Sequence, residues 1–570
     1  MAVTEARLPE QLAGLFARLA PEAAPTVAPY LARLVSANQA GHVCLALPPA
    51  EARRLARARP LVGQPGEAAP LILDGARRLY FARHWRDEAT LADRLAALAA
   101  DTVPLASEAA RRVLDALFPP RADGKPDRQK LAAALALRKR FTVISGGPGT
   151  GKTTTVVRLM AAVASLAPRP LAIAMAAPTG KAAARLTESV RLARAALPVP
   201  EEIRAQLPSS AQTLHRLIGL VPGQAAPRHH AGHPLPLDLL VVDEASMVDL
   251  SLMSRTLAAL PPSARLVLLG DRDQLASVDA GAVLADLCSE QIYGADTLAW
   301  LQEAAGHAPF SANLDPLPAL ADCVALLTES HRFGADSGIG ALARAVNGGN
   351  SRAALSCLDD LFTPDIGWGP EREALAAELL ARREAYFAAL EQGPAVAFAA
   401  FGRFMLLAAE RRDVAALNEA VEARLARAGR KRHDADWYAG RPVMIRENDY
   451  AVGLFNGDIG LALPSPDGLR VWFPTADGGY RALAPGRLPP LDTVYAMTVH
   501  KSQGSEFDEV WMLLPGGDSQ VLDRALLYTA ITRAKREFRL CGEPATLSEA
   551  VGRVLPRHSG LAERLWATAG

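Results

Sequence analysis

The chain has 570 residues and a mass of 60.4 kDa, half of them hydrophobic, which allows about three to four domains with cores of their own. Charged residues make up 22%, and Lys+Arg of 62 against Asp+Glu of 61 leaves a formal charge of +1. These values exclude a disordered, collagen-like or disulfide-scaffold chain, and any basic groove for nucleic acid must be local.

Eight of the 62 basic residues are lysines, so Arg-rich stretches say little here and the lysines say more. Five cysteines (44, 288, 323, 357 and 541) lie scattered without ligand spacing, which predicts a reducing compartment and no zinc or iron–sulfur site. The N-terminus lacks the apolar stretch of a signal peptide, and no apolar run approaches the ~18 residues of a membrane span. A soluble cytoplasmic protein without membrane contact is expected.

Residues 1 to 120 are rich in Leu, Ala and Arg at helical spacing, Leu71 to Trp85 included, and predict a helical N-terminal domain. Phe118 to Pro126 collects Pro and Gly and reads as a linker. Beyond it, β-branched runs at 141–145, 171–175, 239–243 and 265–270 alternate with helices. That pattern predicts an α/β fold with a parallel sheet buried on both faces. A second α/β region is expected from about 330. Within it, short strands rich in Gly, Pro and Asp at 437–490 predict a small β-barrel insertion.

Gly146-Gly147-Pro148-Gly149-Thr150-Gly151-Lys152-Thr153-Thr154 follows the first of these strands and opens a helix. The glycines let successive N–H groups curl around phosphates, Lys152 supplies a compact charge, and Thr153 offers a hydroxyl to Mg²⁺. Leu239-Leu-Val-Val-Asp243-Glu244 ends another buried strand in two carboxylates, Asp243 to hold Mg²⁺ and Glu244 to polarise water. No NKxD reads guanine, and a hydrolytic Glu argues against a small-molecule kinase. These motifs predict an ATPase using ATP and Mg²⁺.

Further segments fall in order: Ala177-Pro178-Thr179-Gly180-Lys181 through Arg185, Gly270-Asp-Arg-Asp-Gln274, Thr498-Val-His500-Lys501 through Glu506, and Leu527 through Arg533 to Lys535. The Gln274 amide is placed to sense a γ-phosphate. Lysines 152, 181, 501 and 535, four of the eight, fall in these motifs.

This ordered set resembles a superfamily 1 helicase from about Gln129 to Arg536 and, within it, the RecD family, the alpha subunit of exodeoxyribonuclease V (RecBCD). Val242 to Leu250, Gly270 to Leu284, Thr213 to Gly219, Arg228 to Leu235 and 498–507 carry the resemblance. It implies two RecA-like P-loop motor domains, at 121–328 (with a short hairpin insertion at about 221–236) and 329–570, behind a partner-docking domain at 1–120. Arg77 to Trp85 belongs to the part that resembles the RecC-docking domain.

The resemblance further implies that Gln129 recognises adenine, that Arg332 and Arg533 reach the γ-phosphate from the second motor domain, and that Glu506 lies near the ribose. Thr179, His215, Thr498 and His500 match segments lining a single-stranded DNA track, where Lys181 is also placed. His331 departs from the family pattern, in which many relatives carry Tyr beside adenine. The implied activity is 5′→3′ helicase travel at duplex DNA ends for double-strand break repair by recombination. RecB and RecC would complete a heterotrimer in a bacterial cytoplasm, and the cutting would belong to RecB.

Plainer readings stand beside these. Arg332 is alternatively a helix-cap arginine, and His215 or His500 a packed core histidine. His229, His230 and His233 lack a carboxylate or Cys partner and read as part of a hairpin rather than a metal site. Asp123-Gly-Lys125 echoes a nuclease motif but lies in the linker. A stand-alone RecD-like helicase, which usually carries a longer N-terminal extension, and a docking subunit with a vestigial ATPase remain the rival functions.

Overall fold

The computed structural model describes residues 8–121, 124–221, 224, 226–309, 316–334, 336–449, 451–475, 478–517 and 519–567. Asp123 of the Asp-Gly-Lys echo lies outside the described residues.

Two parallel sheets form the body of the molecule. The first has the order β10-β5-β9-β8-β6-β7, with β5 Phe141–Gly146, β6 Ile173–Ala177, β7 Gln212–Thr213, β8 Leu239–Val242, β9 Arg265–Gly270 and β10 Val324–Leu327. All its pairings are parallel. Every residue of β5 and β8 is buried, as continuous apolar strands covered on both faces must be. The helix Arg128–Arg138 buries an unbroken run from Leu131 to Leu137, and its alanines permit close packing on the helix Lys152–Leu166.

The second sheet has the order β11-β20-β19-β12-β18, again all parallel, with β11 Ile366–Trp368, β12 Phe404–Ala408, β18 Ala496–Thr498, β19 Phe507–Leu513 and β20 Ala534–Cys541. The alternation read from the sequence therefore yields the expected α/β architecture. The strand after the phosphate helix begins two residues later than its sequence pattern, at Ile173 rather than Leu171.

The N-terminal region is not purely helical. Four short strands, β1 Leu45–Ala46, β2 Val62–Gly63, β3 Leu71–Leu73 and β4 Arg78–Phe81, make a sheet in the order β1-β4-β3-β2. Residues 71–81, expected to be helical, form the antiparallel pair β3–β4 instead. The turn decides this: Asp74 Oδ1 accepts Arg78 N at 2.8 Å and Arg77 adopts φ 65°. An Asp-Gly turn outweighs a helical spacing of leucines that also fits an alternating strand. A long helix begins only at Ala82 and runs to Ala100.

Between the helix Arg411–Arg427 and β18 stands a five-stranded antiparallel sheet in the order β16-β15-β14-β13-β17. Its strands are β13 Pro442–Ile445, β14 Ile459–Ser465, β15 Gly468–Pro474, β16 Tyr480–Leu483 and β17 Leu491–Thr493. It has a core of its own around Val443, Ile445, Val471 and Phe473. Among the described residues the edge strands β16 and β17 do not pair, so the sheet is open where a barrel was expected. Pro485, Pro489 and Pro490 have no N–H to extend a ladder into their connection, so both edge strands stay short.

The end of the chain leaves the second sheet and returns to the first. Arg557 Nη1 donates to Ser277 O at 2.5 Å, Val43 N donates to His558 O at 2.8 Å, and Leu561 and Leu565 join the core shared by the N-terminal region and the first sheet. Among the described residues no helix is long and apolar enough to cross a membrane.

Candidate active site

The C-terminal ends of adjacent parallel strands converge on one crevice, where α/β sheets bind ligands. From β5 comes the glycine loop, from β8 Asp243 and Glu244, and from β9 Asp271 and Gln274. Across the crevice stand Arg332, Glu506 and Arg533, enclosing a cleft of about 650 Å³.

The loop is shaped by Gly149 (φ 74°) and Gly151 (φ 80°), both left-handed. A Cβ on Gly149 would collide with Cβ of Arg332, and one on Gly151 with the Gln129 amide. Lys152 Nζ donates to Gly146 O at 2.5 Å and Gly147 O at 3.0 Å, so its ammonium is held inside the curl of the loop.

Gln129 is set by its helix cap. Asp127 Oδ1 accepts the N–H groups of Gln129 and Lys130 at 2.8 and 3.1 Å, satisfying two of the helix's free donors. The Gln129 amide then reaches Thr150 O at 3.1 Å and lies 3.1 Å from His331 Nε2. The segment carrying His331 clasps the loop: His331 N donates to Gly149 O at 2.8 Å and Ser330 Oγ to Pro148 O at 3.0 Å.

Burial, then the neighbouring Glu244, raises the Asp243 carboxyl to about 6, against the pull of Lys152 and Arg185. Glu244 holds a left-handed backbone (φ 51°, ψ 41°), unusual for a residue other than Gly and concentrated at functional sites. Asp271, which sequence reasoning passed over, is 3% exposed and accepts Tyr528 Oη at 2.9 Å and Gln274 Nε2 at 3.2 Å. Its carboxyl is also raised to about 6, by burial, with Lys152 opposing. Gln274 thus meets a carboxylate of its own strand end.

Arg332 Nη2 donates to Glu506 Oε1 at 2.8 Å, while its Nη1 is buried without a hydrogen-bond partner among the described residues. Arg533, 3% exposed, donates from Nε to Thr529 O and from Nη1 to Ser505 O. Burial lowers its affinity for a proton. Arg185 from the helix Gly180–Ala195 pairs with the same Glu506 oxygen. For Glu506, burial works toward a higher value, but Arg185 and then Arg332 hold it at about 2. The motif that runs through Arg185 gives that residue no role of its own, and in a chain this rich in Arg no sequence signal distinguishes it.

The DNA-track candidates fall into separate surroundings. Thr179 caps the helix Gly180–Ala195 through Ala182 N, and Lys181, brought down to about 8 by burial, faces Asp458 of the antiparallel sheet. Thr498 ends β18 and accepts Lys501 N at 3.4 Å. The neighbours of His500 are Arg557 and Arg411, whereas those of His215 are Asp249 and Arg255. His230 and His233 exchange backbone hydrogen bonds in a tight turn, with the His229 and His233 rings stacked at 5.0 Å.

Two family models match the chain: an AAA domain over residues 129–280 and a UvrD-like helicase C-terminal domain over 493–541. The RecBCD enzyme subunit RecD of Mycobacterium tuberculosis is 43% identical, covering 93% of this chain and 87% of its own. RecBCD enzyme subunit RecD of Haemophilus influenzae is 36% identical over 85% and 80% of the two chains. The ATP-dependent RecD2 DNA helicase of Deinococcus radiodurans is 31% identical over 75% of this chain but 50% of its own. Identity sustained across most of both chains, and not the motor motifs alone, makes this chain a member of the RecD family of RecBCD enzyme subunits.

Proposed function

We propose that the cleft binds and hydrolyses ATP to drive 5′→3′ travel along one strand of a duplex DNA end, as the RecD subunit of a heterotrimer with RecB and RecC. An ATP-dependent DNA helicase is the activity that belongs to the family. The observation that carries the reading is the two-sided cleft: Lys152, Asp243, Glu244 and Gln274 on one wall, Arg332, Glu506 and Arg533 on the other.

In this reading the loop from Gly146 to Thr154 cradles the phosphates, and Gln129 with His331 receives the adenine. The Gln129–His331 approach of 3.1 Å supports imidazole taking the place of the ring common in relatives. Arg332, whose buried Nη1 has no hydrogen-bond partner among the described residues, and Arg533 are suited to the γ-phosphate, since planar permanent cations stabilise transferring phosphoryl charge. Glu244 orients the attacking water. The Thr153 hydroxyl and the Asp243 carboxylate form a hard oxygen pair that fits Mg²⁺, which when bound neutralises phosphate charge. Thr179, Lys181, His215, Thr498 and His500 would contact sugar, phosphate and base faces without sequence preference.

We place the partner-docking domain at 1–120 and the motor domains at 121–328 and 329–570. A bacterial cytoplasmic setting goes with this reading. Coverage of 80% or more of the RecD subunits against 50% of the RecD2 helicase, with greater identity to the Mycobacterium tuberculosis and Haemophilus influenzae subunits, favours the subunit over a stand-alone helicase. The full set of nucleotide groups in one cleft disfavours a vestigial ATPase.

The test is ATP hydrolysis by the purified chain, with and without single-stranded DNA, alongside Lys152→Gln. DNA-stimulated turnover should drop at least about 100-fold in the variant, the order expected when a phosphate-charge contact is lost. Equal turnover in both proteins would show that the cleft is not the catalytic site. Turnover that needs added RecB and RecC would mark an obligate subunit.

A further inference from the structure

Arg185 stands on the first motor domain and reaches the second. Its Nη2 pairs with Glu506 Oε1, its Nη1 donates to Gly504 O at 3.4 Å, and Asp243 and Glu244 act on its charge from its own side. Glu506 Oε1 also accepts Arg332 Nη2 at 2.8 Å. One carboxylate oxygen therefore serves two guanidiniums, and each shares what the other takes.

The pair also joins the two segments that hold candidate DNA contacts. Thr179 and Lys181 open the helix on which Arg185 sits, two turns or less away. Thr498 and His500 precede Glu506 in the segment linking β18 to β19. A displacement of Arg185 against Glu506 is thus a displacement of one wall of the track against the other.

A γ-phosphate held by the Lys152 loop competes with Glu506 for Arg332, because both are anionic oxygen acceptors for the same fork of N–H donors. Once Arg332 turns to phosphate, Arg185 no longer shares the Glu506 oxygen with it and that ion pair strengthens. We propose that the Arg185–Glu506 ion pair is the link by which ATP in the cleft changes the grip of the chain on single-stranded DNA. This rests on the reading of the cleft as an ATP site. Arg185 also lines the cleft, but in this proposal it is a positioning residue that acts through Glu506 and the track segments. An ion pair can carry such coupling only if the two ligands bias the same two-state arrangement, and the effect must then be reciprocal.

The experiment measures the affinity of the full chain for a fluorescent single-stranded oligonucleotide, with and without a non-hydrolysable ATP analogue. The reciprocal measurement takes analogue affinity with and without the oligonucleotide. The native chain should show the same linkage factor both ways, on the order of 5- to 150-fold. In Arg185→Gln and in Glu506→Gln the factor should collapse to within about twofold of unity, with Arg185→Lys recovering part of it. Thermal unfolding of each variant separates this from misfolding, and Arg185→Met carries the test if Arg185→Gln fails to fold, because Glu506 itself stands in the nucleotide cleft.

An undiminished linkage factor in both glutamine variants would overturn the proposal. So would loss of analogue binding itself in Arg185→Gln, which would make Arg185 a direct nucleotide ligand. A native chain that binds no analogue would instead remove the ATP site on which the proposal rests.

Discussion

Asp271 and Asp243 end neighbouring parallel strands, and burial holds both carboxyls near 6 rather than in the ordinary carboxylate range. For Asp271 the consequence for stability has a definite sign. Below about pH 4 it is protonated folded or unfolded; between about 4 and 6 only the unfolded chain ionises it; above 6 the folded protein carries the full cost. Its relative contribution to stability is therefore present at low pH and lost as pH rises through about 6. Asp271→Asn should stabilise the chain at pH 7 by on the order of 2 kcal/mol, the gain shrinking toward pH 4. Urea denaturation at pH 5 and pH 7 checks this. A difference that is constant with pH would mean that Asp271 is not held protonated by the fold. The same substitution should slow ATP turnover, because Tyr528 and Gln274 both lean on this carboxylate.

The glycine loop shows at the scale of an element why a short motif is so readable. Its geometry is set within a few residues: two left-handed glycines, a lysine bonded to the loop's own carbonyls, and a helix opening at once behind it. Gly149→Ala places a side chain in a left-handed conformation and against Arg332, so turnover should fall roughly 10- to 100-fold with helix content unchanged. Circular dichroism together with an ATPase assay decides it; unimpaired turnover would mean the loop relaxes freely. The β3–β4 pair shows the opposite case. Its leucines fit helix and strand alike, and only the Asp74–Arg78 turn with packing of Leu71 and Tyr80 selects the strand. In the antiparallel insertion, strand content was legible in Gly, Pro and Asp spacing, while openness depends on which edges find partners. The approach of Phe455 to Gly180, where a Cβ would lie 3.4 Å from the ring, had no sequence signal at all.

Across the whole molecule, the returning C-terminal segment binds regions that the sequence separates most. Glu88, fully buried, accepts Gly560 N at 2.9 Å and Arg564 Nε at 3.2 Å, and Arg78 pairs with Glu563 at 2.7 Å. The helix Leu561–Trp566 packs its leucines into the core that joins the N-terminal region to the first sheet. Ending the chain at Arg553 would take Gly560 N and Arg564 from Glu88, leaving it Tyr80 Oη at 3.2 Å, and would strip Leu561 and Leu565 from the core, together costing about 3–5 kcal/mol. The truncated chain should lose several degrees in thermal unfolding, and Glu88→Gln in that background should recover part of the loss. An unchanged melting temperature would show that the segment is only draped over the surface.

The sequence by itself determined the chemistry of the cleft's pieces and the α/β class, because both rest on short-range rules. A phosphate loop, a strand ending in two carboxylates and the period of apolar residues are each complete within a few turns of chain. Tertiary structure alone decided who faces whom. Asp271 meets Tyr528 257 positions on, and Arg185 meets Gly504 319 positions on. With 54 arginines to choose from, a guanidinium's role is set not by its neighbours in sequence but by the one carboxylate that packing brings within reach.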